Sequence, residues 1–579
     1  WAALRAPVSY RETALRLALA AGLAVLLAGV QLGPAWAVFI GSERARPALF
    51  HEDALLFSTH PLRLVTILAS PVGEEEDPVV VARSFFGNPR GGVEAESLYL
   101  GVPVIGLAIL GARHRRDLRV LALIGGIALV LALGRYGGLY ELFYRVVPLW
   151  SAFRYPEKLM GIVAFAAAML AGAGFDALRA GHGRLPPWLL AALLCAGAGL
   201  VLRTDTAGAW AAAHFDAPTA VAGAVTGSAG RALLYSAIGA LGVWLILAGA
   251  RRGYLRQTLA LGALTTIVVL DLARANLGAY HTGPAEAATF TPPLVEALRV
   301  REGPLTAGRF RLISIPEEII VWPQEHMPAL GYYGSASVAR RQALDLEHNA
   351  GLHLESIASY LPGYSSQFAD ALNVRTGSNA AARFNVAYYI GRRYRFQDPR
   401  FAQAFVAQLL PYDLALYQNP VPAKPRAYLS RRPERAASPV DPATLLARPD
   451  FLNGDVDVIE TTEATLPGPA SGRSPMIERY APEDVRVRVE TPQPTVLILL
   501  DAFDKGWRAT LESGAEMPIL RANALVRAVI VPAGVHTVTF RYETPFLRTG
   551  AAASLVGIAL CLALMARARQ QARRTGDRA

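Results

Sequence analysis

Long apolar runs separated by polar or mixed segments dominate the hydrophobic pattern of the chain. They cover residues 15–39, 98–110, 120–134, 159–178, 187–202, 232–249, 258–277 and 550–566. Their length and uniformity exceed what a globular core needs and read as membrane-spanning helices. The second and third runs fall short of the ~20 residues that a span requires, so their ends must extend into flanking polar residues. Between the seventh and eighth runs lies a polar segment of about 265 residues, far too long for a loop.

The pattern changes period in that segment. Residues 309–315 and 384–390 read as strands, and 401–410 as a helix. Residues 436–475, rich in Pro, Ala and Ser, read as linker or long loops, with a strand at 455–460. Beyond them, Val485, Val487 and Val489 alternate with Arg486, Arg488 and Glu490, and 496–500 is a continuous apolar run suited to a central buried strand. Trp507, Ala509 and Leu511 share one face, as do His536, Val538, Phe540 and Tyr542, with Gly506, Gly514 and Gly534 as turn residues. An antiparallel β-sandwich is the economical reading of this end.

Arginine placement gives the membrane part a direction. Arg5, Arg11 and Arg16 precede or open the first run, and Arg113, Arg115, Arg116 and Arg119 follow the second. Arg179 and Arg184 follow the fourth, Arg251, Arg252 and Arg256 the sixth, and Arg567, Arg569, Arg573, Arg574 and Arg578 the eighth. Every second junction is arginine-rich, which is the positive-inside pattern, so eight spans with both ends cytoplasmic close without contradiction. The expected fold is a polytopic α-helical membrane protein with a large extracytoplasmic α/β segment ending in the β-sandwich. Its parts are a seven-span region at 1–279 with extracytoplasmic loops 40–97, 135–158 and 203–230, a mixed α/β segment at 280–425, the sandwich at 426–545, and a last span with a basic tail at 546–579.

Composition agrees. The 579 residues are 53% hydrophobic and 18% charged, against about 25% charged in soluble proteins. The net charge of +11 is explained by the junction arginines, which sets nucleic-acid binding aside. Cys195 and Cys561 both fall in apolar runs, so no disulfide staples the outer segment. With Trp1 in place of an initiator Met and no signal peptide, the chain reads as the C-terminal part of a longer protein.

The chemically suggestive stretch is 146–160, between two apolar runs. Pro156 suits the first position of a helix, whose free amides would then point outward with the positive end of the dipole. Arg154 and Lys158 flank that terminus, with Glu157 between them, and together they suggest a receptor for a phosphate at headgroup depth. The plainer reading stands beside it. Trp150, Phe153 and Tyr155 are ordinary interfacial aromatics, and Arg154 and Lys158 can simply snorkel. Residues 139–148 suit a short interfacial helix, whose plain role is to lie on lipid and which could also shape the lip of a cavity. Asp271, inside the seventh run, is a functional candidate that Arg274 can neutralise from the same face. No P-loop or dinucleotide fingerprint is present.

Several stretches in order resemble the YfhO-type bacterial membrane proteins over nearly the whole chain. They include Gln31-Leu-Gly-Pro34, Ser58-Thr-His-Pro61 with Arg63, Phe86-Gly-Asn88, Ser97-Leu-Tyr-Leu-Gly101, Phe153-Arg-Tyr-Pro-Glu-Lys158 and Leu170-Ala-Gly-Ala-Gly174. Phe384-Asn-Val-Ala-Tyr-Tyr389, Tyr417-Gln-Asn-Pro420, Pro425-Arg-Ala427, Gly506-Trp507 and Pro532-Ala-Gly-Val-His536 continue the series. The resemblance implies a GT-C-type glycosyltransferase in the bacterial cell (inner) membrane. Such an enzyme takes a sugar from a polyprenyl-phosphate donor at the outer face and passes it to a cell-envelope acceptor. A carboxylate deprotonates the acceptor while cations stabilise the departing lipid phosphate. Arg154 and Lys158 would bind the phosphate, with Glu157 beside them and Arg63 and His60 as second choices. GT-C enzymes usually carry the catalytic acid in the first outer loop, which would precede Trp1. Glu52 and Asp53, in the first outer loop of this chain, and His60 are the remaining catalytic candidates. His60 serves equally as a loop histidine bonded to backbone. No cofactor is implied; lone carboxylates could bind Mg²⁺ or Mn²⁺ weakly. Two other readings are a scaffold whose sandwich binds glycans through aromatics such as Trp507, for which a core position is the commoner role, and a lipid-sugar transporter or flippase. The near absence of charge inside the runs argues against coupled ion transport.

Overall fold

The computed structural model describes residues 10–42, 45–69, 78–86, 93–277, 284–315, 331–345, 347–357, 377–410, 413–463 and 465–576. The expected features at Arg5, 87–88 and Arg578 lie outside the described residues. The chain divides into two compact units, Arg46–Thr282 and a second made of Trp1–Ala45 with Gly283–Ala579. The division regroups the first run, expected with the other spans, with the eighth.

The helices run in the order α1 Tyr10–Leu27, α2 Gly29–Gly41, α3 Pro47–Ala54, α4 Pro78–Phe86, α5 Gly101–His114, α6 Arg119–Ala132, α7 Leu139–Val146, α8 Met160–Arg179, α9 Pro186–Leu202, α10 Asp205–Phe215, α11 Thr219–Arg251 and α12 Gln257–Asn276, with a last helix at Leu547–Gly576. Among the described residues four helices are long and apolar enough to cross a membrane: Pro156–Arg179, Thr219–Arg251, Gln257–Asn276 and Leu547–Gln570. The number is six if α1 with α2, bent by 75°, and α9 with α10, bent by 76°, each count as one span. The eight expected runs therefore yield fewer full-length helices. α5 and α6 have 14 residues each, about 21 Å at 1.5 Å per residue, against a hydrocarbon core of about 30 Å.

One expected loop is not a loop. Most of 203–230 is helical, in α10 and the first third of α11. Its alanines are the strongest helix formers, and the Thr204 hydroxyl caps α10 by accepting from the Ala207 N–H. Small residues set the packing of the first unit. A methyl group on Gly174 of α8 would overlap the Leu107 carbonyl of α5, and one on Gly111 would overlap the Leu170 carbonyl, so the two backbones touch where side chains would hold them apart.

In the second unit the bend at Ala28 between α1 and α2 interrupts the helical hydrogen-bond ladder. Ser554 of the last helix repairs it: its hydroxyl donates to the Leu27 carbonyl at 2.9 Å and accepts from the Val30 N–H at 2.9 Å. Gly29 and Gly550 allow that approach, since a methyl on either would overlap the other's strand of backbone.

The first sheet contains β1 Arg311–Ser314, β2 Glu355–Ser356, β3 Val386–Arg392, β4 Phe405–Leu409 and β5 Leu414–Gln418, in the order β2-β1-β3-β5-β4. The helix expected at 401–410 is corrected. Only Pro399–Gln403 is helical, capped by Asp398, and β4 then pairs antiparallel with β5. Phe405 and Val406 are β-prone, and the ladder to β5 outweighs a local helical period.

The remaining strands are β6 Ala427–Leu429, β7 Pro433–Ala436, β8 Asp457–Glu460, β9 Met476–Ala481, β10 Asp484–Thr491, β11 Thr495–Ala502, β12 Trp507–Thr510, β13 Glu516–Met517, β14 Leu520–Ala522, β15 Val526–Val531 and β16 Gly534–Tyr542. They form a five-stranded sheet, β13-β12-β16-β10-β9, and a six-stranded one, β6-β11-β15-β14-β8-β7. Val485, Val487, Val489, Val538 and Phe540 from the first meet Leu497, Leu499, Val529 and Val531 from the second in one buried core. The alternation expected at 485–490 is present, with the valines inward, and 496–500 is fully buried in β11. In the stretch expected as linker the strand expected at 455–460 is present as β8, and two short helices, Pro442–Leu446 and Pro449–Leu452, precede it, their turns started by prolines.

Candidate functional site: a polar hollow beside the short helix before α8

The backbone around Pro156 is tighter than a simple helix start. Tyr155 is left-handed, with φ +67°, and Pro156–Leu159 is a 3₁₀ turn leading into α8. The expected free amides are occupied here. Tyr155 N–H donates to the Ala54 carbonyl at 3.1 Å, Glu157 N–H to Phe57 at 3.2 Å, and Lys158 N–H to Tyr155 at 3.0 Å. Segment 54–57 runs alongside, with Phe57 edge-on to Tyr155 at 4.8 Å.

Two of the four expected substrate-binding residues face each other inside the protein. Glu157, 2% exposed, forms an ion pair with Arg63 and accepts hydrogen bonds from the Glu94 N–H at 3.1 Å and the Ala95 N–H at 2.8 Å. Arg63 also donates to the Ala95 carbonyl at 2.7 Å and lies over the Phe86 ring. This geometry fastens segment 94–95 to the start of α8. The other two lie nearer the surface. Arg154 sits over the Tyr155 ring at 4.6 Å, and Lys158 approaches the same ring at 5.0 Å while pairing with Glu94 at 3.1 Å.

The catalytic candidates are scattered. Glu52 is exposed, 3.7 Å from Arg135, and Asp53 is half-buried. His60 caps the 3₁₀ turn Pro61–Ile67, its Nδ1 accepting from the Leu62 N–H at 3.2 Å; burial lowers its pKa, so it is a neutral loop histidine bonded to backbone. Asp271 and Arg274 pair at 3.4 Å, and the Tyr99 hydroxyl donates to Asp271 at 2.7 Å.

A hollow of about 690 Å³ lies on α3, α7 and the turn after α7. Gly138, at φ +70°, starts α7 in a conformation that other residues adopt only under strain. α7 then places Glu141 and Arg145 one turn apart, paired at 2.7 Å. The His51 ring nitrogen Nε2 lies 2.8 Å from the other Glu141 oxygen, and Tyr144 packs edge-on against His51 at 5.1 Å. Burial works to raise the Glu141 pKa, but hydrogen bonds from His51 and Arg145 outweigh it and hold the carboxyl below its usual range. The result is an ionised carboxylate with an imidazole and a guanidinium on one wall of a cleft, with Val146, Val147 and Leu149 as its apolar side.

The helix expected at 139–148 runs over Leu139–Val146 and lines this hollow. His51 and Glu141 were not singled out as a pair because 90 positions separate them; the only local signal was the Glu141–Arg145 spacing. Among the described residues no three His, Cys, Asp or Glu side chains gather in a metal-binding group. Compared with protein-family models, with curated proteins and with solved structures, the chain finds no match.

Proposed function

We propose that this chain is a membrane glycosyltransferase that takes a sugar from a polyprenyl-phosphate donor at the outer face of a bacterial cell membrane. The observation that carries the reading is the Glu141–His51–Arg145 hollow beside the segment leading into α8. Glu141 accepts the proton of an acceptor hydroxyl, and His51, bonded to the same carboxylate, keeps it oriented. The hydroxyl oxygen forms a bond to the anomeric carbon as the bond from that carbon to the lipid phosphate breaks. The phosphate leaves with the electron pair, and Arg145, with Arg154 and Lys158 further along, offsets its charge. The resemblance of the motif series to YfhO-type proteins supports the same class, and the arginine-rich junctions support eight spans with 280–545 outside and the C-terminal tail in the cytoplasm. The acceptor is a cell-envelope glycan, polymer or protein.

The test is transfer of radiolabelled sugar from polyprenyl-phosphate-sugar in membranes containing the full-length protein. Glu141→Gln should lower transfer about 100-fold or more while leaving insertion intact. Transfer by Glu141→Gln at the wild-type rate would overturn the assignment. A non-catalytic glycan-binding scaffold is the second reading, favoured by a second hollow on the sheets.

A further inference from the structure

That second hollow, of about 600 Å³, opens at the edge of the two-sheet region, between the turn before β12 and the segment after β13. Its size falls in the about 300–1,000 Å³ range of small-ligand clefts. We propose that it is a carbohydrate-binding subsite, taking a pyranose unit of a polysaccharide.

The aromatic wall is Trp507. It is half-buried, packed against the core of the two sheets and lining the hollow from β12, next to the short edge strand β13. Its position is fixed from behind. The Arg527 guanidinium lies 3.7 Å from the indole centroid, Tyr542 packs edge-on at 5.2 Å, and Arg527 is itself held by a 3.0 Å bond to Asp501. An indole locked in this way loses little side-chain freedom when a ligand arrives. Its apolar surface suits the C–H face of a pyranose ring, as aromatic rings do for other flat apolar partners.

The rim supplies the polar half. Asp504, Lys505, Arg508 and Glu516 all line the hollow and are exposed. Sugar hydroxyls donate and accept, so they match a rim of two carboxylates and two cations. The charges balance, so the site does not select a polyanion, which separates it from a phosphate or nucleic-acid groove. Asp504 is held in place, accepting from the Gly506 N–H at 2.7 Å and hydrogen-bonding with the Tyr542 hydroxyl.

The test uses the full-length protein in a non-glycosidic detergent, titrated calorimetrically with maltohexaose, cellohexaose and the N-acetylglucosamine hexamer. At least one should bind with a Kd below about 10 mM. The double variant Arg508→Ala/Glu516→Ala, at two exposed positions, should weaken that Kd about tenfold or more with unchanged thermal unfolding. Trp507→Ala should abolish binding, but it also loosens the core, so the rim variant decides. No binding by any of the three sugars, or equal binding by the rim variant, would overturn the proposal. No lipid donor is present, so a negative result leaves the transferase reading standing, and failed transfer by that route leaves this one standing.

Discussion

Arg63 and Glu157 form a buried ion pair that ties the loop before α4 to the turn that starts α8. Their side chains are 6% and 2% exposed, and the carboxylate is further held by two backbone N–H groups from 94–95. A pair this enclosed contributes through geometry, because each charge without its partner would be stranded away from water.

Glu157→Ala should therefore destabilise the protein by about 3–5 kcal/mol, seen as a lower Tm in detergent. The double variant Arg63→Met/Glu157→Leu should recover part of that loss, since it removes both charges together. A single variant as stable as wild type would show that the pair is not closed as described.

The α5–α8 crossing gives a paired test of the close approach. Gly174→Ala should cost about 1–3 kcal/mol, because its new methyl meets the Leu107 carbonyl. Gly172→Ala, where a methyl meets nothing within 4 Å, should be neutral or stabilising by up to about 1 kcal/mol. Chemical-denaturant titrations of both would check the opposite signs.

Asp501 gathers three guanidiniums. Arg311 contacts it at 3.2 Å, Arg527 at 3.0 Å and Arg426 at 3.6 Å. Burial pulls the pKa of Arg426 and of Arg527 down to about 10. Asp501→Asn should cost about 3–5 kcal/mol, because the amide cannot neutralise the cations that remain. Thermal unfolding followed by circular dichroism is the measurement.

His536 and Glu512 give a pH signature in the two-sheet region. The pair lies at 2.9 Å; hydrogen bonding to Glu512 raises the His536 pKa, and bonds from the Thr537 N–H and His536 hold Glu512 down to about 2. A raised histidine stabilises fully below its ordinary 6.5 and loses that contribution as pH rises through its folded value. A depressed carboxylate stabilises above its ordinary 4.5 and loses that contribution as pH falls toward about 2. Both contributions are present between 4.5 and 6.5. Glu512 is half exposed, so the total stays below about 1 kcal/mol. Glu512→Gln should flatten the difference in Tm between pH 5.5 and pH 8.

Much of the fold was legible where one physical signal dominates. The alternating valines at 485–489 and the apolar run at 496–500 have the buried, strand-forming roles expected of them. Asp271 and Arg274, one helical turn apart, pair as their spacing requires. The errors arose where signals compete. Residues 401–410 carry a helical period, but a ladder to β5 claims half of them. The alanine and glycine of 203–230 looked like loop composition, while in a membrane-like setting they build helix. At the candidate site, Arg154 and Lys158 were read from their neighbours alone. His51 and Glu141 escaped because chain-distant packing brings them together.

The notch between α1 and α2 imposes an order on biosynthesis. Val30 and Ser554 are separated by 524 positions, so the hydroxyl that completes the broken turn is made long after the turn itself. At about 5–20 residues per second, the delay is roughly 25–100 s. Throughout that interval the Leu27 carbonyl and Val30 amide must borrow water, lipid headgroups or the insertion machinery as temporary partners. Until the last helix has been made and packed, the hinge lacks the one side chain that joins both sides of its break.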